Sequence, residues 1–282
     1  MFTCKEYRRV DSLEEAWELN QKRSNLLVGG MLWVKMGQRN VQTVIDLSGL
    51  GLDQIEETEE EFRIGCMVTL RQLEEHGGLN VMTQGAVRES VRHIVGVQFR
   101  NLATVGGSVF GRFGFSDVLT MLLAMDSEVE LYRGGRMPLT EFIDRKRDRD
   151  ILVRVIVKKT GGVYAYQSMR NTQTDFPVLA VASSYAGGEL HISVGARPAR
   201  AVLVKVPENV TGIDAAAEQK ADWGKDFTEE NARQIAKYVR ERVTMGTNLR
   251  GSAEYRSHLA EVLVRRACLA LAEKEGLESR EA

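Results

Sequence analysis

Four glycines crowd into the stretch QFRNLATVGGSVFGRFGFSD, Gln98 to Asp117, where Gly106, Gly107, Gly111 and Gly114 separate an apolar run ending at Val105 from the helix-like run VLTMLLAM. Glycine has no Cβ and tolerates positive φ, so such a segment can turn sharply and let a ligand approach the main chain closely. A phosphate or a sugar is the obvious client. Ser116 stands where a helix N-cap would, with Asp117 in the first turn, so the loop is expected to end on the positive end of a helix. Read alone, such a loop is more often a plain connection than a ligand cradle.

A second stretch, NLLVGGMLWVKMG from Asn25 to Gly37, repeats the design: an apolar run enters Gly29-Gly30 and another apolar run follows. Neither copy is G-x-G-x-x-G or G-x-x-x-x-G-K-[ST], so the common dinucleotide and P-loop templates both fail. The pair points to a different kind of nucleotide site.

With 38 basic and 39 acidic residues the formal charge is −1, which offers no electrostatic basis for binding nucleic acid or anionic lipid. The N-terminus MFTCKEYRRV lacks an apolar signal core and no run approaches a membrane span, so a soluble, cytoplasmic protein is expected. Cys4, Cys66 and Cys268 are scattered, without C-x-x-C or His-rich spacing for zinc or an iron–sulfur cluster. They are read as buried or semi-buried free thiols. A length of 282 residues with 43% hydrophobic content allows two or three compact lobes.

Taken in order, residues 1–55 read as a small α/β unit. Ser12 and Glu15 form a capping box for LEEAWELNQK, and NLLVGG and TVIDLSGL are strands. Residues 56–160 form a second lobe. Here IEETEEEF is a solvated turn, FRIGCMV a strand, Thr69 with Gln72 a helix cap, and Thr83 the cap of AVRESVRHIVG; EVELYRGG and DILVRVIVKK are strands. Residues 161–282 begin with GGVYAYQSMR, VLAVASSYAGG and ELHISVGA, expected to form an antiparallel meander. Two helices follow, capped by Thr228 and Ser252, the second with Tyr255, Leu259, Val262 and Leu263 on one side. His93 is read as a packing or surface residue, and no triad, metal cluster or acid/base pair is visible.

Together VGGMLWVKM and RNLATVGGS followed by FSD resemble the two flavin-binding loops of the FAD-binding (medium) subunit of the molybdenum hydroxylases, the xanthine dehydrogenase family. IGCMVTLRQLEE, VGARPARAV and GSAEYRSHLAEVLVRRA match in the same order, so the resemblance covers nearly the whole chain. It implies an α+β fold of the vanillyl-alcohol-oxidase/PCMH type, with two α/β lobes that bind FAD and a C-terminal lobe of antiparallel strands and helices. On this mapping Val28, Gly29, Gly30, Met31 and Leu32 contact the pyrophosphate. Thr104, Gly106, Gly107 and Ser108 form the second loop, with the Thr104 and Ser108 hydroxyls as donors. Asp117 accepts from the ribityl hydroxyls, Leu152 packs near the isoalloxazine and Gln167 holds a slot often given to lysine.

The chain departs from the family pattern at Met31, where a polar residue is usual, at Ser108 in place of Asn, and across VFGRFGFS. Arg112 in that loop is read as solvated rather than phosphate-bound. The resemblance implies an electron-transfer subunit that takes electrons from an iron–sulfur small subunit through FAD to NAD+, a quinone or oxygen, with hydroxylation on a molybdopterin large subunit, a purine being the first substrate to test. Two alternatives stay open: a stand-alone flavoenzyme of the same fold, like the reductase that makes muramic acid, and a scaffold that has lost its flavin.

Overall fold

The computed structural model describes residues 1–211 and 228–281. The rest of the expected third lobe, residues 212–227 and 282, lies outside them. The chain divides into two compact units: residues 1–75, 95–112 and 126–158, and residues 76–94, 113–125 and 159–282.

The first unit carries two sheets. In the smaller, parallel one, β1 (Thr3–Arg9) pairs with β3 (Asn40–Asp46), which pairs with β2 (Leu26–Val28). Helix α1 (Leu13–Asn20) follows β1, capped by Ser12, whose side chain accepts from the Glu15 amide. Strand β1 has no counterpart in the sequence reading. Every one of its side chains is exposed, so it shows none of the apolar alternation that marks a half-buried strand. A small core of Val28, Val41 and Val44, with Phe2, Leu26 and Met31 packed on it, supports β2 just before the first glycine pair.

The larger sheet has the order β4-β5-β8-β6-β7, formed by Ile55–Glu57, Glu61–Gly65, Leu152–Lys158, Glu128–Leu131 and Gly135–Pro138. Its pairings are antiparallel. Of the acidic run expected to be a solvated turn, only residues 58–60 lie between strands: Ile55–Glu57 is β4, and Glu61 and Phe62, both buried, open β5. Helices α2 (Leu70–Glu75), α5 (Val97–Arg100), α6 (Val105–Phe110) and α8 (Leu139–Asp144) belong to this unit. Thr69 and Gln72 close the expected capping box on α2, with reciprocal bonds of 2.8 and 3.1 Å.

The second unit holds α3 (Gly77–Met82), α4 (Ala86–Val91), α7 (Asp117–Ala124) and a four-stranded antiparallel meander in the order β12-β11-β10-β9. The strands are Val163–Arg170 (β9), Pro177–Ala186 (β10), Glu189–Gly195 (β11) and Val202–Val206 (β12). One face of the meander packs under the helices Glu229–Arg242 and Ala253–Glu281, around Ile192, Val194, Ile235, Val239, Leu263 and Leu271. Thr228 and Ser252 cap these helices as expected. The N-cap position of α4 is Gly85, with φ 80°, but Thr83 serves both helices: its hydroxyl donates to the Leu79 carbonyl at 2.7 Å, closing α3, and accepts the Val87 amide of α4 at 3.3 Å. Tyr255 is exposed rather than part of the core stripe, which runs through Leu259, Leu263, Ala267 and Leu271.

Candidate flavin site

The two glycine turns meet within the first unit. A Cβ at Gly29 would stand 2.5 Å from Thr104 Oγ1, and one at Gly30 would overlap the Leu102 carbonyl. On the second turn, a Cβ at Gly106 would meet the Cys66 carbonyl at 2.6 Å. These three glycines are therefore demanded by the protein's own packing, since nothing larger than hydrogen fits where the turns touch. Gly107 differs. A Cβ there would meet only Thr104 Oγ1, at 3.1 Å, so a longer side chain would project into the space beside the paired turns.

Neither turn uses a glycine at positive φ. The left-handed conformation falls on the neighbours, Met31 at φ 59° and Arg112 at φ 46°. Such a conformation costs a non-glycine residue on the order of 1 kcal/mol or more and persists only where the surroundings enforce it. At Met31 the small core packed on its side chain is part of that enforcement. The polar residue usual at this position would have no role toward that core.

The donors of the two turns differ in kind. Among the described residues, no carbonyl or side chain accepts from the amides of Gly29, Gly30, Met31 or Leu32. The second turn spends its amides internally: Val105 on the Val68 carbonyl, Gly106 on the Cys66 carbonyl, Gly107 on Thr104 Oγ1 and Ser108 on the Thr104 carbonyl. The Ser108 hydroxyl also donates to the Thr104 carbonyl, at 3.1 Å, so its proton is committed inside α6. Thr104 Oγ1, which accepts the Gly107 amide as the N-cap of α6, keeps its own proton to give. The turns thus offer a row of amides on the first, and one hydroxyl and a glycine clearance on the second.

Charge fits the same picture. From Leu19 to Ile45 and from Ser90 to Ser116 the sequence holds no aspartate or glutamate, in a chain with 39 of them. Acid-free turns with main-chain donors suit an anionic ligand. Arg112 is half-buried rather than solvated. It sits over the Phe142 ring, 4.3 Å from the centroid, and donates to the Ile143 and Arg145 carbonyls at the end of α8. Arg147 donates to the Gly111 carbonyl.

The other expected site residues are distributed. Leu152, in the first unit, is buried at the start of β8 opposite Leu131. Asp117 and Gln167 belong to the second unit, and its sheet separates them. Asp117 is buried at the start of α7, where its Oδ1 accepts from the Tyr166 hydroxyl and from Arg170 Nη2, the latter at 2.8 Å. Burial pushes its carboxyl above the usual range, against the opposing pull of the Arg170 charge and the two hydrogen bonds. Gln167 alternates to the opposite face of β9, with Val163 and Ala165 of the core beneath the last helices. Tyr166 and Arg170 escaped the sequence reading. The visible signal was the spacing Tyr164, Tyr166, Ser168, Arg170, a polar face on a strand whose other side is largely apolar.

The remaining motifs are structural. His93 lies beside Glu89 and Arg92. Cys66 and Cys268 are buried, and burial pushes each thiol up to about 12; Cys4, by contrast, is exposed. No group of three His, Cys, Asp or Glu among the described residues is placed to hold a metal ion. No described helix is long and apolar enough to cross a membrane.

Paired glycine turns on a mixed helix-and-sheet scaffold define a protein that binds a nucleotide cofactor. Residues 2–159 match the family model described as FAD binding domain in molybdopterin dehydrogenase, and residues 164–271 match the CO dehydrogenase flavoprotein C-terminal domain. The chain belongs to this family, the FAD-binding medium subunits of the molybdenum hydroxylases, and FAD is its cofactor. Similar proteins include the uncharacterized protein YgfM of Escherichia coli strain K12, 26% identical over 92% of this chain and 93% of that one. The nicotine 6-hydroxylase medium subunit of Paenarthrobacter nicotinovorans is 26% identical over 92% and 94%. Among solved structures, quinoline 2-oxidoreductase from Pseudomonas putida 86 superposes with a TM-score of 0.80 at 18% identity, covering 96% of this chain and 98% of that one. Carbon monoxide dehydrogenase from Hydrogenophaga pseudoflava gives 0.79 at 22%, covering 96% and 97%. These two likenesses bear out the expected fold.

Proposed function

We propose that this chain is the electron-transfer subunit of a cytoplasmic, multi-subunit molybdenum hydroxylase, taking electrons from an iron–sulfur small subunit and delivering them to NAD+ or another acceptor, while substrate is hydroxylated on a molybdopterin large subunit. The observation that carries the reading is the direct contact of the two glycine turns beside a row of unsatisfied amides. In this reading the amides of Gly29, Gly30, Met31 and Leu32 hold the FAD pyrophosphate, the Thr104 hydroxyl donates to it, and Gly107 leaves the room it occupies. Bound FAD supplies the redox chemistry; the chain's own residues bind it, orient it and keep carboxylates away from its phosphates. The nicotine 6-hydroxylase relative supports an N-heterocycle as the substrate class to be hydroxylated, within which a purine of the xanthine dehydrogenase type is the specific candidate.

Flavin absorbance of the purified chain tests the cradle. The wild type is expected to hold about one FAD per chain after incubation with FAD. Gly107→Val is expected to retain the fold by circular dichroism and lose flavin by more than about tenfold. A Gly107→Val chain that keeps a full complement of FAD contradicts the placement.

A further inference from the structure

We infer that the basic segment 145–149 is a strap that holds the two glycine turns in register, and that Arg112, Arg147 and Arg149 are positioning residues for FAD. The inference rests on the cradle proposed above and names the side chains that keep it in shape. The run DRKRDRD, Asp144 to Asp150, has the composition of a solvated loop. Instead it is bonded at both ends, entirely within the first unit.

At one end, Arg149 Nη1 donates to the carbonyls of Asn20 and Lys22, at 2.6 and 3.1 Å. The Arg149 carbonyl in turn accepts from Asn20 Nδ2 at 2.9 Å and from Gln21 Nε2 at 3.2 Å. Asn20 ends α1, and the chain then runs through Asn25, whose side chain donates to the Leu19 carbonyl, into β2 and Gly29. At the other end the strap and α6 exchange arginines. Arg147 Nη2 donates to the carbonyl of Gly111, the C-cap of α6. Arg112, the next residue, donates from Nη1 to the Arg145 carbonyl at 2.5 Å and to the Ile143 carbonyl at 3.5 Å.

The backbone shows that this exchange is under load. A left-handed residue just past a helix C-cap is usually glycine or asparagine, and here it is Arg112 at φ 46°. Its guanidinium lies 4.3 Å from the centroid of the buried Phe142 ring, which also packs against Phe110 of α6 with centroids 6.0 Å apart. Helix α6 is thus anchored twice. Its front end is held by the Val105 and Gly106 amides on the Val68 and Cys66 carbonyls, and its back end by the arginines. A short helix pinned at one end can swing; two anchors fix its axis, and with it the Thr104 hydroxyl at its N-cap and the exposed Gly107. Binding groups hold a ligand tightly only when the residues behind them fix their placement. Charge is not what the strap supplies, because Asp144, Asp148 and Asp150 nearly offset Arg145, Lys146, Arg147 and Arg149.

Titrating the full flavin-free chain with FAD and with riboflavin, which lacks the diphosphate, tests the inference. Arg112→Gly combined with Arg147→Ala keeps the left-handed turn and removes the exchange. It is expected to weaken FAD about thirtyfold and riboflavin less than about threefold. Arg149→Ala, at the other end, is expected to weaken FAD about tenfold. Lys146→Ala, an exposed side chain that bonds to neither turn among the described residues, is expected to leave FAD affinity unchanged. These losses are expected to persist at high salt, where a contribution from charge alone fades. Arg147 is itself exposed, so Arg147→Ala alone carries the test if the double variant does not fold, with an expected loss of about fivefold in FAD affinity. Equal weakening of the two flavins would show that the strap serves the fold only and overturns the inference, as does unchanged FAD affinity or a loss that salt abolishes. A wild-type chain that binds the two flavins equally overturns the cradle, and this inference with it.

Discussion

Gly30 and Gly107 look alike in the sequence and do different work. At Gly30 a methyl group would overlap the Leu102 carbonyl, so Gly30→Ala is expected to push the two turns apart and lower the melting temperature, even without flavin. An unchanged melting temperature would show that the turns do not pack as described. Gly107→Val, by contrast, is a binding variant. The sequence showed both glycine pairs but not this division, because it depends on which neighbour each absent Cβ would strike. Nor could it show that Ser108 turns its proton inward, or that Arg112 caps the carbonyl end of α8: both follow from local backbone geometry rather than residue type. Thiol chemistry gives a further check at this scale. With Cys66 and Cys268 buried and their thiols raised to about 12, native protein at pH 8 is expected to react with one equivalent of a thiol reagent, at Cys4. Three equivalents without denaturant would contradict the burial.

Among the elements, those with an apolar run or period were legible and the strand without an apolar face was not. The meander β9 to β11 and helix α7 follow from apolar runs bounded by glycine and a serine cap. Strand β1 carries no apolar face; strand β5 was legible in FRIGCMV, but the ion pairs at its first residue are not something patterning registers. Glu61 on β5 accepts from Arg63 at 2.7 Å and from Arg136 at 2.8 Å. The Arg63 hydrogen bond, outweighing a smaller desolvation penalty, holds its carboxyl below the ordinary glutamate value, with Arg136 adding to the effect. A carboxylate depressed on folding contributes stability above its unfolded pKa of about 4.3 and loses it as pH falls through the lower folded value. Glu61→Gln is therefore expected to melt below wild type at pH 7, with the gap closing below about pH 4. A gap independent of pH would mean that the pairing contributes nothing. In the second unit, Arg256 is fully buried on the last helix and donates to the carbonyls of Val178, Gly246 and Gly251 and to Asn248. Arg256→Met strands those acceptors and is expected to cost about 3 kcal/mol in urea unfolding.

At the scale of the whole molecule, the chain binds FAD and leaves the redox chemistry to it; among the described residues no group of three His, Cys, Asp or Glu is placed to hold a metal ion. The nucleotide class was legible because two glycine pairs recur in similar settings; the substrate was not, since in the proposed complex its pocket lies on another chain. If FAD binds the folded chain alone, a hundredfold excess over its dissociation constant should raise stability by about 2.7 kcal/mol. The most direct measurement compares the affinity of the flavin-free chain for FAD and for riboflavin, which shares the ring and ribityl chain but lacks the diphosphate. Amides on one turn and a hydroxyl on the other, closing on the pyrophosphate, predict that FAD binds at least about a hundredfold more tightly and that Gly107→Val narrows the difference. Equal affinity for the two flavins would contradict the cradle.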